Sequence, residues 1–304
     1  MALVQHIGTS PIDVLGVLSV RVAGYFLERG RYEEAAALCQ HALAGQTQQL
    51  GADHLDTLNT VDRLADAYER QGMYSEAEPL YQRALAGREQ QLGADHRATM
   101  DTVNGLAILY WRQGKYSEAE PLYQRALAGR EHHLGAGHPR TLDTVNNLAV
   151  LYRKQGRYDA AEAMYQRALA GQTQRLGADH PETLNTVNNL AVLYRRQGKY
   201  VEAEALYQRA LAGYEQRLGA EHPDTLRTVH NIASLYEHQG KYDEAERLYK
   251  RALEGREISL GIHHPSTIKT MKGLAGVYGK QERDGEANTL RARVNEAGQV
   301  RLSK

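Results

Sequence analysis

The chain has 304 residues, and its 37 Lys and Arg residues balance its 37 Asp and Glu residues, so its formal net charge is zero. A chain without net charge has no overall field that draws nucleic acid or an anionic membrane, which argues against both as partners. The single cysteine, Cys39, excludes an internal disulfide, and no apolar run reaches the roughly 20 residues of a membrane span, so we expect a cytoplasmic protein.

A unit of 42 residues repeats along most of the chain. The pair Gly72 and Tyr74, for example, returns at every 42nd position up to Gly240 and Tyr242. Self-similarity at a fixed period of about 20 to 50 residues is typical of solenoids, in which each repeat contacts only its neighbours. We therefore predict a single domain over residues 1–304. The repeats are expected at about 15–56, 57–98, 99–140, 141–182, 183–224, 225–266 and 267–298, the last with a degenerate capping helix.

The first repeat already follows the pattern of the later ones. Phe26 falls in its first helix where Tyr68 falls in the next repeat, and its second helix is predicted from about Tyr32 to Leu50. Cys39 occupies the position that Tyr81 holds in repeat two. We expect Cys39 to be a buried free thiol, because an unpaired Cys behaves as a small apolar residue.

Each later unit is predicted to be a helical hairpin. In repeat five, apolar residues from Leu184 to Tyr194 recur at spacings of three and four, which indicates one apolar stripe on a first helix, helix A. Gly198 ends that helix, since Gly takes positive φ without penalty. A second stripe follows from Ala203 to Leu211 on helix B. The pattern gives seven hairpins and fourteen helices.

Three recurring features mark or interrupt these helices. A His precedes helix A in each of six repeats and is interpreted as an N-cap, at His54, His96, His138, His180, His222 and His264. Ser75 with Glu78 has the spacing of a capping box at the start of helix B. A Gly lies inside helix B about once per repeat, as at Gly213, and we ascribe it to close approach between neighbouring repeats or to a bend of the helix.

The repeat resembles the tetratricopeptide repeat in its 42-residue, kinesin-light-chain-like form. Val187, Leu190, Ala191, Tyr194 and Ala203 reproduce the spacing of the signature, and the RALAG, LG and HP elements are most similar to the repeat arrays of fungal and bacterial NLR-type (NB-ARC) proteins. The resemblance implies an all-α, right-handed superhelical α-solenoid of about seven helix-turn-helix repeats. It also implies a protein-interaction function. The chain contains no GxxxxGK[ST] nucleotide-binding motif.

No motif in the sequence indicates catalysis, a metal site or a cofactor. The six recurring His residues are one repeat apart, about 10 Å at helix packing distances, which is too far for a shared metal ion. Neither GxSxG nor HExxH occurs. We expect a protein that is not an enzyme and that binds no metal ion or cofactor.

Helix A carries the candidate binding residues. In the family that the chain resembles, the Asn that matches Asn147, Asn189 and Asn231 projects into a concave groove and binds the backbone of a peptide. An amide suits this contact because it offers both a donor and an acceptor. The alternative is that each Asn bridges neighbouring helices. The preceding position in the same three repeats adds Asn146, Asn188 and His230.

Basic residues and one aromatic residue follow one turn later on helix A. Arg112, Arg153 and Arg195 would favour an acidic peptide through charge-assisted hydrogen bonds, or they are simply exposed. Trp111 is a candidate for stacking on a ligand side chain. We therefore predict a module that binds a peptide segment of a partner protein, with a preference for acidic segments. A structural or self-assembling scaffold and the sensing arm of an NLR-like switch protein stay open as alternatives.

Overall fold

The computed structural model describes residues 11–302, with side chains described for residues 18–27 and 29–298. Within these residues the chain forms fourteen α-helices and no strand, which confirms the predicted all-α class. The predicted domain bounds at residues 1 and 304 lie outside the described residues. The helices are α1 (Pro11–Glu28), α2 (Tyr32–Leu50), α3 (Leu55–Gln71), α4 (Tyr74–Leu92), α5 (Arg97–Arg112), α6 (Tyr116–Leu134), α7 (Pro139–Lys154), α8 (Tyr158–Leu176), α9 (Pro181–Arg196), α10 (Tyr200–Leu218), α11 (Pro223–His238), α12 (Tyr242–Leu260), α13 (Pro265–Lys280) and α14 (Asp284–Leu302).

Backbone packing divides the chain into two compact units, unit 1 at residues 1–151 and unit 2 at residues 152–304. Within each unit the helices pack as consecutive hairpins, in which odd-numbered helices are helix A and even-numbered helices are helix B. Each unit is described by itself, and the single domain expected from the sequence stays a prediction. Helix A commonly ends with a Gly in the left-handed region close behind it, as at Gly72 with φ 83°.

The core of each unit consists of small and aromatic residues from both helices of a hairpin. In unit 2, Leu184 and Val187 of α9 pack with Ala210 of α10, and none of the three is exposed. Tyr207 of α10 is also fully buried. Burying each of the larger apolar side chains stabilises the fold by about 1.5–3 kcal/mol. The predicted burial of Cys39 is confirmed, because its side chain is 0% exposed and forms no disulfide.

The His residues before helix A are N-caps, as predicted. Nδ1 of His180 accepts a hydrogen bond from the backbone N–H of Glu182 at 3.3 Å, and the other five His residues make the equivalent bond at 3.1–3.2 Å. Each bond satisfies one of the backbone donors that the first turn of a helix leaves without a partner. These caps fix where each helix A begins.

The predicted capping box at the start of helix B is wrong. Helix α4 begins at Tyr74, with Met73 as a cap that makes no side-chain bond, so Ser75 already lies inside the helix. Glu78 instead accepts hydrogen bonds from Tyr110, Gln113 and Lys115 of the next repeat. The carboxylate therefore joins two repeats and does not cap its own helix.

The Gly inside helix B permits close approach within a repeat rather than between repeats. A Cβ on Gly213 of α10 would lie 2.6 Å from Cδ1 of Leu184 in α9, the helix A of the same hairpin. A Cβ on Gly87 would meet Leu58 at the same distance, and one on Gly129 would meet Sδ of Met100 at 2.5 Å. The two helices of a hairpin pack too closely at this level for any larger residue.

Candidate peptide-binding face

Unit 1 contains a polar cavity of about 780 Å³ along its helix A residues. Its acidic side chains are matched by arginines: Asp62 lies 3.3 Å from Arg88, Asp66 lies 2.9 Å from Arg70, and Asp101 pairs at 2.7 Å with both Arg130 and Arg140. The charges of this cavity are largely satisfied within the unit itself.

Two predicted site residues of unit 1 lie at the ends of this cavity's helices. Arg112, at the end of α5, forms an ion pair with Glu69, which is only 2% exposed. Burial raises the pKa of Glu69 to about 7, and the charge of Arg112 opposes that shift. Trp111 is half-buried, and its indole N–H has no hydrogen-bond partner. Arg112 is thus already paired with a carboxylate, which weakens its role as a selector of acidic ligands.

The two Asn residues of α7 differ in exposure. Asn146 is 8% exposed, and Asn147 is half-buried. The same alternation holds on α9 in unit 2, where Asn188 is 1% exposed and Asn189 is half-buried. A peptide lying on helix A would therefore meet the second residue of each pair first.

In unit 2, the paired positions join neighbouring helices. Nδ2 of Asn231 on α11 donates to Oδ1 of Asn188 on α9 at 3.1 Å. His230 is 5% exposed, and its Nδ1 lies 3.3 Å from the hydroxyl of Thr270 on α13. Burial and then the charge of Arg256 lower the pKa of His230 to about 2, so the ring is neutral. The side-chain amide of Asn231 therefore bridges neighbouring helices, which is the alternative to peptide binding that the sequence left open.

The basic side chains of unit 2 form a cluster that we call the cationic face, defined by Arg153, Lys154, Arg195, Arg196 and Lys269. Partial desolvation and then the charges of Arg256, Arg195, Lys154 and Arg153 lower the pKa of Lys269, although its side chain is exposed. The pKa of Lys154 is lowered by burial and then by Arg153 and Arg196. These cations are therefore close enough to repel one another.

The cationic face contrasts with the cavity of unit 1 because carboxylates do not neutralise it. Among the described residues, none of its five members forms an ion pair with Asp or Glu. Arg195 instead contacts His238, whose Nε2 lies 3.3 Å from Nη1 of the arginine. Arg227, near the start of α11, is different, because its guanidinium lies 3.0 Å from the carboxylate of Asp224.

Buried tyrosine hydroxyls lie beneath two of these arginines. Tyr165 and Tyr207 are 0% exposed, and neither hydroxyl has an acceptor for its hydrogen, because the side chain beside each is an arginine, which only donates. Burial raises the pKa of Tyr207 to about 12, and the adjacent charge of Arg195 opposes this shift. Arg153 acts on Tyr165 in the same way. The Nε atoms of both arginines are buried and also lack a partner.

Sequence reasoning overlooked some of this arrangement. The tyrosines of helix B read as core residues at fixed repeat positions, so nothing in the pattern marked the hydroxyls of Tyr165 and Tyr207. Lys269 could have been added to the candidate basic residues of helix A from the sequence, because it is one 42-residue period after Arg227. The ion pair of Arg112 with Glu69 could not be predicted from the sequence, because the two residues are 43 positions apart on different helices.

The tetratricopeptide repeat family profile matches residues 14–90, 61–132, 140–216, 182–258 and 224–291, and a second tetratricopeptide repeat profile matches residues 104–175. The chain belongs to the tetratricopeptide repeat family. No curated protein matches the chain.

Solved structures of tetratricopeptide type resemble this chain. A Podosopora anserina protein of kinesin-light-chain type with nearly identical TPR-like repeats is 25% identical, with a TM-score of 0.58, over 69% of this chain and 98% of that chain. BtubC (BKLC) from P. vanneervenii is 24% identical, with a TM-score of 0.58, over 84% and 95% of the two chains. The apo form of the quorum sensor NprR from B. thuringiensis is 19% identical, with a TM-score of 0.75, over 95% and 77%. These similarities support the kinesin-light-chain-like fold.

Two further features of the described residues bear on function. No described helix is long and apolar enough to cross a membrane. The described side chains contain no group of three or more His, Cys, Asp or Glu residues that could hold a metal ion.

Proposed function

We propose that this tetratricopeptide repeat chain is a non-enzymatic interaction module that binds an acidic peptide segment of a partner protein on the cationic face of unit 2. The observation that carries the proposal is that none of the five members of the cationic face forms an ion pair with Asp or Glu among the described residues, while neighbouring cations lower the pKa of Lys154 and Lys269. Acidic side chains of a ligand would relieve that repulsion and form charge-assisted hydrogen bonds with the arginines. Asn189 on α9 and Asn231 on α11 are both half-buried, and they would contact the peptide backbone.

Peptides bound to structurally similar proteins support this class of ligand. The Rap regulator of plasmid pLS20 was solved in complex with the Phr* peptide, and its TM-score to this chain is 0.71. Its 14% identity means that the similarity concerns the fold alone. The choice of an acidic ligand therefore rests on the charges of this chain.

The test is binding of a fluorescein-labelled Glu-rich peptide, measured by fluorescence anisotropy, to the wild type and to the double variant Arg153→Gln/Arg195→Gln. Each charge-assisted hydrogen bond contributes about 1.5–3 kcal/mol, so we expect the double variant to bind at least about tenfold more weakly. Binding by the wild type should also fall as salt is added, because salt screens exposed charges.

The matched control is Arg217→Gln, which removes an exposed Arg from helix B of repeat five. It should bind the Glu-rich peptide as the wild type does. The proposal is wrong if the wild type binds a Lys-rich peptide as tightly as the Glu-rich one, or if the control variant loses as much affinity as the double variant.

A second candidate, self-assembly, is favoured by one surface of unit 1. Leu18, Val22 and Tyr25 lie at successive turns of α1 and are 54%, 37% and 51% exposed. An apolar stripe of this kind on a terminal helix is suited to contact with another chain. The contacting surface would belong to a second copy of the protein in a scaffold. If the repeats are the sensing arm of an NLR-like switch protein, it would belong to another module of that protein. Of the two, we propose contact with a second copy.

A further inference from the structure

We infer that unit 2 recognises a peptide carrying two acidic side chains three residues apart, each bound by one pair of an arginine and a buried tyrosine. The pairs are Arg153 with Tyr165 and Arg195 with Tyr207. This inference rests on the proposed function and specifies its ligand. It assigns an acceptor to two buried hydroxyl groups whose hydrogens otherwise have none.

Each pair offers donors that suit a carboxylate. Nε of the arginine and the hydroxyl of the tyrosine are buried donors without an acceptor. Leaving a buried polar group without a hydrogen-bond partner destabilises the folded protein. A carboxylate carries only acceptors, so one of its oxygens can accept from the tyrosine O–H and the other from the guanidinium. Because the donor atoms are enclosed, the half-buried arginine side chain must change rotamer to admit the ligand.

The following repeat contains an internal example of this contact. Glu237 of α11 is one period after Arg195, and its Oε2 accepts a hydrogen bond of 2.8 Å from the hydroxyl of Tyr249. A carboxylate of the protein itself thus occupies the place that a ligand carboxylate would take beside Tyr207. In repeats four and five the arginine replaces this Glu, and the tyrosine has lost its acceptor.

One position of helix A in the following repeat changes together with this one. Where the helix A residue is Glu237, the next repeat carries Gly273, and a Cβ there would lie 2.7 Å from the ring of Tyr249. Where it is Arg153 or Arg195, the equivalent position is Asn189 or Asn231. The arginine and tyrosine of repeats four and five are therefore each followed by an Asn in the next repeat. Repeat six instead has Glu237 and Tyr249 and is followed by Gly273.

The spacing of the two pairs selects the ligand. Arg153 and Arg195 are one repeat apart. The equivalent step from α9 to α11 is short, because the side chain of Arg227 on α11 donates a hydrogen bond of 2.9 Å to Asn185 on α9. Neighbouring helices packed in this way lie about 8–10 Å apart. A polyproline II peptide rises about 3.1 Å per residue and returns to the same face every third residue, which gives about 9 Å. Two acidic residues at positions i and i+3 would reach both pairs.

The experiment compares three labelled Pro-rich peptides by fluorescence anisotropy. The first carries two Glu residues three positions apart, the second carries them five positions apart, and the third replaces both with Gln. We expect the wild type to bind the first peptide about tenfold more tightly than the second, because only the first satisfies both pairs on one face. Equal affinity for the first two peptides would overturn the inference, although the proposed function would stand. Equal affinity for all three would overturn both.

The variant Arg195→Glu tests the pair itself. The new carboxylate would accept from Tyr207 as Glu237 does from Tyr249, so the variant should fold, which circular dichroism and thermal melting can check. It should lose the preference for the three-residue spacing. Arg217→Glu makes the same charge change on exposed helix B and should keep the preference. Retention of the preference by Arg195→Glu would also contradict the inference.

Discussion

At the scale of single residues, the same repeat position serves different purposes because its neighbours differ. Asn188 is buried and accepts a hydrogen bond from Asn231. His230 takes the equivalent position one repeat later, between Tyr249 and Thr270. Its surroundings are cationic, with Arg256, Lys269 and Arg195 all disfavouring a charged imidazole. The buried neutral ring therefore links the stability of unit 2 to pH.

We expect His230→Asn to reduce the loss of stability in acid. Because the folded-state pKa of His230 is about 2 and its ordinary value is 6.5, the unfolded chain binds the proton first as the pH falls. Stability from the neutral ring is complete above about pH 6.5 and falls by about 1.4 kcal/mol per pH unit once the pH is well below that value.

Urea unfolding of wild type and variant between pH 7 and pH 5 measures this effect. The variant introduces the residue that repeats four and five carry at Asn146 and Asn188, so it should remain folded. Parallel loss of stability in the two proteins would show that His230 does not cause the acid sensitivity.

At the scale of helices, the glycines of helix B set how closely a hairpin can close. Gly213 contacts the buried side chain of Leu184, and Gly129 contacts that of Met100. A Gly inside a helix costs about 1 kcal/mol relative to Ala. This cost is offset because the two helices bury their apolar stripes against each other at short range.

We expect Gly213→Ala to destabilise the protein by about 1 kcal/mol. Overpacking against Leu184 costs about 1–3 kcal/mol, from which the gain in helix propensity is subtracted. Gly129→Ala should cost less, because the unbranched Met100 side chain can move aside. Chemical denaturation measures both.

The control for these variants is Gly137→Ala, where an added Cβ has no atom within 4 Å. It should leave the unfolding free energy nearly unchanged. If Gly213→Ala stabilised the protein, the recurring glycines would not report close helix packing.

At the scale of the whole molecule, the zero net charge conceals two different charge distributions. In unit 1 the acidic residues of helix A are paired with arginines, whereas in unit 2 the cationic face has no carboxylate to neutralise it. Net charge therefore says little about partners of a repeat protein. The apolar stripe on α1 is likewise a property of one end of the chain.

We expect this stripe to mediate any self-association. If Leu18, Val22 and Tyr25 contact a second copy, the mass from light scattering should rise with protein concentration, and Val22→Lys should abolish the rise because burying a charge is costly. The control is Val201→Lys, which changes a side chain that is 80% exposed on α10. A constant monomer mass in the wild type would remove the scaffold alternative.

Much of the fold was predictable because each repeat encodes its own boundaries. The apolar periodicity gave the helical hairpins, and the start of α2 at Tyr32 and its end at Leu50 agree with the prediction. The capping box failed because Ser75 and Glu78 have the right spacing, but Ser75 lies two positions after Met73, the residue that caps the helix. Local patterns locate helices well and their terminal residues less well.

The sequence by itself determined the fold class and the His caps, because the helical hairpins and their caps depend on interactions between residues close in the chain. Only the tertiary structure decided which charges are paired. Arg112 meets Glu69 and Tyr249 meets Glu237, while Tyr165 and Tyr207 lie under arginines without an acceptor. Such contacts depend on which side chains adjacent helices bring together, and a repeating sequence presents every copy as equivalent until the helices are packed.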